Sequence, residues 1–109
     1  MEECVFCKIR DKEIPAEIVR ETATLIIFKD INPKAKTHLL IVPKKHIESI
    51  KTVNEEDKEI LGEMLLIAKK LGEEFQIPGF KLQFNVGREG GQEVDHLHLH
   101  FLAEKEIKN

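Results

Sequence analysis

Residues 85–102 read Asn85-Val86-Gly87-Arg88-Glu89-Gly90-Gly91-Gln92-Glu93-Val94-Asp95-His96-Leu97-His98-Leu99-His100-Phe101-Leu102. Its last part alternates three histidines with apolar residues, the pattern of a strand over 94–103. On a strand, alternate side chains share a face. His96, His98 and His100 therefore form a row, about 6.6 Å from one to the next. Leu97, Leu99 and Phe101 turn the other way, toward a core. The glycine-rich run 87–93 leads into the row, and such loops bring backbone N–H groups close to anionic oxygens.

Histidine acts as nucleophile and as acid or base near neutral pH. A neutral imidazole can attack phosphorus in line with a leaving group, and water can then split the phosphoimidazole. The attacking nitrogen must be bare, so the other ring nitrogen must carry the proton. A strand carbonyl can accept that proton and fix the tautomer. His98 is flanked on both sides, which makes it the candidate nucleophile. A His-x-His strand can also ligate a catalytic metal.

Working outward, Phe80 to Val86 alternates apolar and polar residues and reads as a half-buried strand, antiparallel to the histidine strand. Pro78-Gly79 precedes it and ends the clearest helix, residues 54–75. Asn54 suits the N-cap, and Glu55, Glu56 and Asp57 complement the dipole of the first turn. Ile60, Leu61, Met64, Leu65, Ala68, Leu71 and Phe75 make one wide apolar stripe. Leu66 and Ile67 fall off it and are surplus apolar surface. Thr37 to Pro43 is a nearly continuous apolar strand, read as buried on both faces. Residues 17–20 and 24–29 read as a strand pair with a turn at 21–23. Lys44 and Lys45 read as a solvated edge, and 47–50 as one helical turn.

The chain has 109 residues, 41% apolar and 34% charged, with net charge −3. That suits one domain, 1–109. Without a basic block, nucleic acid is not an expected partner, and no run approaches a membrane span. Two cysteines cannot make a disulfide framework, so a reducing, cytoplasmic setting is expected. Cys4-x-x-Cys7 alone leaves three readings open: a metal half-site, a redox pair, or two small buried residues.

Residues 96–102 fit the pattern His-φ-His-φ-His-φ-φ, where φ is apolar, at every position. The chain thereby resembles the histidine triad family of nucleotide hydrolases and transferases. The similarity runs through Phe6-Cys7-Lys8-Ile9, Ile14-Pro15, Asp30-Ile31, Thr37-His38, Pro43-Lys44-Lys45-His46-Ile47, Asn85 and Gly90-Gly91-Gln92. It looks closest to the small nucleotide-binding, Hint-type branch. The resemblance implies an α+β fold: a mainly antiparallel sheet of about five strands, one long helix and one or two short ones. It implies a homodimer, for which Leu66 and Ile67 offer surface.

It also implies roles. His98 would be the nucleophile, His100 would contact the α-phosphate, and His96 would orient the network or ligate metal. His38 would support the triad. Asp30 would accept the ribose hydroxyls, with Phe6, Ile9 and Ile31 forming an apolar slot for a purine base. Asn85 would bind the ribose or phosphate side. Gly91, with the amides of Gln92 and Glu93, would steady developing charge. Some bacterial members hold a structural zinc at positions matching Cys4, Cys7, His46 and His96. No divalent metal would be needed for catalysis. The implied reaction is hydrolysis of purine nucleoside phosphoramidates such as adenosine 5′-phosphoramidate or adenylyl-lysine. The alternatives are dinucleoside polyphosphate hydrolysis and a nucleotide-binding module with low turnover. Relatives of the branch often carry Ser or Thr where this chain has Glu93, which could favour a cationic leaving group. The tail, Glu104 to Asn109, is charged, short and expected to fray.

Overall fold

The computed structural model describes residues 4–107. In chain order it forms helix α1 (Val5–Arg10), strands β1 (Ile18–Glu21), β2 (Leu25–Lys29) and β3 (Thr37–Pro43), helix α2 (Lys58–Glu74), and strands β4 (Lys81–Phe84) and β5 (Leu99–Ala103). Short 3-10 turns occupy Ile50–Thr52, Glu55–Asp57 and Arg88–Gly90. The strands form one antiparallel sheet in the order β1-β2-β3-β5-β4. No helix among the described residues is long and apolar enough to cross a membrane.

Alternation along the two central strands explains why both are buried. Leu25 and Ile27 of β2 and Leu39 and Ile41 of β3 face α2, where Met64, Ile67, Ala68 and Leu71 meet them. Ile26, Phe28, Leu40 and Val42 face the other way, against Phe6 and Ile9 of α1. On β5, Leu99 and Phe101 belong to the α2 side. Period-2 geometry then puts His100 on the α1 side, with Phe6 and Ile9. The sheet thus separates a core under α2 from a site under α1.

Several expectations change. The histidine ladder begins at Leu99, so His96 and His98 precede it. The reason lies on β3: a continuing ladder would meet Pro43, which has no N–H to give, and whose carbonyl is taken by the His96 ring. Leu97 N–H bonds instead to the Ile47 carbonyl at 2.6 Å. On α2, Ile67 is buried and Leu65 is 50% exposed, so the surplus pair is Leu65 and Leu66. β4 is shorter than expected and lies at the sheet edge. Phe80 and Leu82 are each 36% exposed there.

Lys44 and Lys45 are also not a merely solvated edge. Lys44 pairs with Glu21 at 2.8 Å, and Lys45 reaches the buried Asp57 at 2.7 Å, fastening the start of α2 to the end of β3. The tail is anchored as far as it is described: Thr37 Oγ1 donates to the Lys105 carbonyl, and Lys105 Nζ to the Gln76 carbonyl. Residues 108 and 109 of the expected frayed tail lie outside the described residues.

Candidate active site and metal centre

The three histidines sit where β5 leaves the glycine loop, beneath α1. Phe6 packs edge-on against His98 at 5.1 Å between ring centroids and against His96 at 5.9 Å. His98 meets His100 edge-on at 4.9 Å. The row is therefore real, though only its last member is in the ladder.

Backbone groups fix the ring protons, because a carbonyl can only accept and an N–H can only donate. His98 Nδ1 lies 2.7 Å from the His96 carbonyl, so Nδ1 carries the proton and Nε2 is bare. Nε2 has no hydrogen-bond partner among the described residues, and no buried side-chain nitrogen or oxygen there lacks one, so it opens outward. Burial pushes the His98 pKa below its ordinary value, against the opposing pull of that carbonyl and of Asp30. The result is a neutral imidazole with its lone pair presented.

His96 is oriented in the opposite sense. Its Nε2 donates to the Pro43 carbonyl at 2.8 Å, leaving Nδ1 bare. That Nδ1 lies 3.3 Å from Cys4 Sγ, 3.6 Å from Cys7 Sγ and 3.1 Å from His46 Nδ1. Cys7 Sγ is 3.4 Å from His46 Nδ1. A tetrahedral zinc with two thiolates and two imidazoles has ligand–ligand edges of about 3.3 to 3.8 Å. The four side chains fit that set closely, and a backbone carbonyl holding the far nitrogen of a ligating histidine, as Pro43 holds that of His96, is the usual arrangement. The cluster can hold a metal ion. Cys4 caps α1, its sulfur accepting from Cys7 N–H at 3.3 Å. The sequence places none of its short helices at residues 5–10, and this one is what sets both thiols beside the histidines.

Asp30, expected at the ribose, opens the loop after β2. Its Oδ1 accepts from Asn32 N–H at 2.8 Å, and Oδ2 lies 3.5 Å from His38 Nε2. Ile31 beside it is 87% exposed, an apolar side chain with no cover in this chain. Phe6 and Ile9 are buried on the same side. Phe28, not singled out from the sequence, supports Phe6 edge-on at 5.4 Å. Its position in an apolar strand run resembled any core residue, and only the placement of α1 gives it this neighbour.

The glycine loop corrects one expectation. Gln92 N–H is committed to the Gly87 carbonyl at 3.0 Å and is not available to an anion. The Gln92 side chain is buried and braces the loop: it accepts from Gly87 N–H and donates to the Glu48 and Val94 carbonyls. Gly87 and Gly91 hold φ of 73° and 90°, a region that favours glycine. Asn85 sits under this loop, its Oδ1 accepting from Gln83 and its Nδ2 lying 3.5 Å from the Gly91 carbonyl. Glu93 is exposed.

The comparisons with known proteins agree with this geometry. Residues 3–108 match the family described as scavenger mRNA decapping enzyme C-term binding. The chain is 47% identical to protein HitA of Neisseria gonorrhoeae, covering 94% of this chain and 97% of that protein. It is 41% identical to the purine nucleoside phosphoramidase of Escherichia coli K12, covering 94% of this chain and 87% of the other. A HIT family hydrolase from Legionella pneumophila superposes with TM-score 0.90 at 48% identity, covering 97% of this chain and 96% of that one. A sheet face under α1 with a bare imidazole at its centre fits the HIT family hydrolases that the chain resembles. The chain belongs to the histidine triad family.

Proposed function

We propose that the chain is a hydrolase of purine nucleoside phosphoramidates that passes through a nucleotidyl-His98 intermediate. One observation carries this: His98 Nδ1 donates to the His96 carbonyl, so Nε2 is the free lone pair. Nε2 attacks the α-phosphorus as the P–N bond breaks, and the nitrogen leaves as the neutral amine with one proton taken from solvent, which the later attack of water returns. The phosphoimidazole is cationic, and the His96 carbonyl stabilises its Nδ1–H. Water then attacks phosphorus, releasing the nucleoside monophosphate and restoring neutral His98. The similarity to the purine nucleoside phosphoramidase supports the substrate class. Asp30 takes the ribose hydroxyls, Ile31, Phe6 and Ile9 hold the base, and His100 and Asn85 contact the phosphate side. The amides of Gly91 and Gln92 are spent within the loop, on the carbonyls of Arg88 and Gly87. Of the three residues 91–93, Glu93 is then the one whose N–H is left to the developing charge. His38 supports His100.

Zinc at Cys4, Cys7, His46 and His96 would be structural, since four protein ligands leave no open position. It would tie α1, and with it Phe6, to the sheet. The protein acts as a single domain in a homodimer, an arrangement supported by the exposed Leu65 and Leu66 of α2 and by the open edge at β4. Its thiols suit the reducing cytoplasm.

The test is turnover of adenosine 5′-phosphoramidate beside a dinucleoside polyphosphate. His98→Ala should remove hydrolysis of the phosphoramidate, which wild type should prefer. A wild type that cleaves only the polyphosphate would transfer the activity to that class.

A further inference from the structure

A hydrogen-bonded chain runs from a loop amide to the phosphate side of the site. Lys34 N–H donates to His38 Nδ1 at 3.0 Å. An N–H cannot accept, so His38 Nδ1 is the bare nitrogen and Nε2 carries the proton. His38 Nε2 lies 2.9 Å from His100 Nδ1. That nitrogen must then accept, which leaves the His100 proton on Nε2. The two rings are diagonal neighbours across β3 and β5, where Leu40 pairs with His100 and His38 with Leu102. Both rings are pushed toward the neutral form chiefly by burial, which makes the tautomer, and not the charge, the variable.

We propose that the backbone N–H of Lys34 is the positioning group that makes His100 a hydrogen-bond donor to the substrate's phosphate. The inference rests on the assignment of His100 to the phosphate. Reversing the chain shows what is at stake. With no donor at Lys34, only the Asp30 carboxylate, its Oδ2 3.5 Å from His38 Nε2, still favours a proton there, and Nδ1 becomes open to take it. A bare His38 Nε2 then faces His100 Nδ1, which must take the proton, and His100 presents a lone pair to an anionic oxygen. An attraction becomes a repulsion. The same loop carries Asp30, whose Oδ2 lies 3.5 Å from His38 Nε2. Ribose recognition and the His100 proton are thus set by one segment, residues 30–38. Asn85 Nδ2 lies 3.5 Å from His100 Nε2, too long to compete with the two shorter contacts.

Two measurements test this. In the full-length, metal-loaded protein labelled with 15N, scalar couplings across hydrogen bonds should connect Lys34 N with His38 Nδ1 and His38 Nε2 with His100 Nδ1. Both rings should show Nε2–H at neutral pH. A proton on Nδ1 of either ring would overturn the proposal. Lys34→Pro deletes the N–H, whereas Lys34→Ala keeps it. The alanine variant should retain both Nε2–H signals. The proline variant should lose that of His100, with kcat falling roughly a hundredfold and KM changing much less. Folded Lys34→Pro protein that keeps both signals would refute it; if that variant does not fold, the wild-type couplings decide. The tautomer readout is independent of turnover. Correct tautomers without nucleotidyl-His98 would sink the proposed reaction alone, and the reverse would sink the relay alone.

Discussion

Each histidine of the row does a different job because a different partner holds it: a backbone carbonyl for His96 and for His98, the His38 ring for His100. His96 gives its proton to the Pro43 carbonyl and turns Nδ1 to the cysteines, while His98 gives its proton to the His96 carbonyl and turns Nε2 outward. The working form of His98 is neutral, and burial lowers its pKa below 6.5. The acid limb of kcat/KM should therefore lie below pH 6.5 and fall roughly tenfold per pH unit beyond it. A limb centred above that value would contradict the buried, neutral ring. Stability has its own sign. Burial takes the pKa values of His96 and His100 from 6.5 to about 4. Between those values the unfolded chain binds protons that the folded chain refuses, so stability falls as the pH is lowered. The melting temperature of metal-free protein should drop between about pH 6.5 and 4, and His100→Gln should make the drop in that window shallower. A melting temperature that rises on acidification would show these rings charged in the fold.

At the scale of elements, the glycine loop is shaped from within. Gln92 makes three side-chain hydrogen bonds from a buried position. Gln92→Ala strands those partners and should destabilise the fold by about 2 to 3 kcal/mol. Chemical denaturation measures this, and an unchanged midpoint would refute the brace. The metal cluster predicts that chelation, or Cys7→Ser, lowers the melting temperature and raises KM by loosening α1 and Phe6. Bound zinc should be absent from Cys7→Ser. What was legible in the sequence follows from periodicity. Thr37 to Pro43 showed an unbroken apolar run and is buried at every position. The cluster Cys4, Cys7, His46 and His96 was implied by resemblance and does come together. What escaped depended on other segments. Ile67 lies on one flank of the apolar stripe and Leu65 on the other, and the sequence does not say which flank the sheet covers. The length of the histidine strand was hidden because Pro43, on another strand, ends its ladder. The Lys34 amide left no trace at all, since a backbone N–H carries no side-chain signature.

The whole molecule divides its labour across one sheet. The α2 side is apolar and closed, and the α1 side holds all five histidines among the polar and sulfur ligands. The far edge remains open: β4 has one neighbour, and Leu65, Leu66, Phe80 and Leu82 are exposed nearby in sequence or on α2. If that surface joins two copies, Leu66→Glu should convert the dimer to a monomer in light scattering while the melting transition persists. Wild type with the mass of one chain would refute the dimer.

The most direct measurement is to mix the protein with adenosine 5′-phosphoramidate, quench in milliseconds at a pH that preserves phosphoimidazole, and weigh the intact chain. Wild type should gain the mass of one AMP group on His98, and His98→Ala should gain nothing. Turnover by wild type with no such adduct, or an adduct that survives in His98→Ala, would contradict the account at its centre.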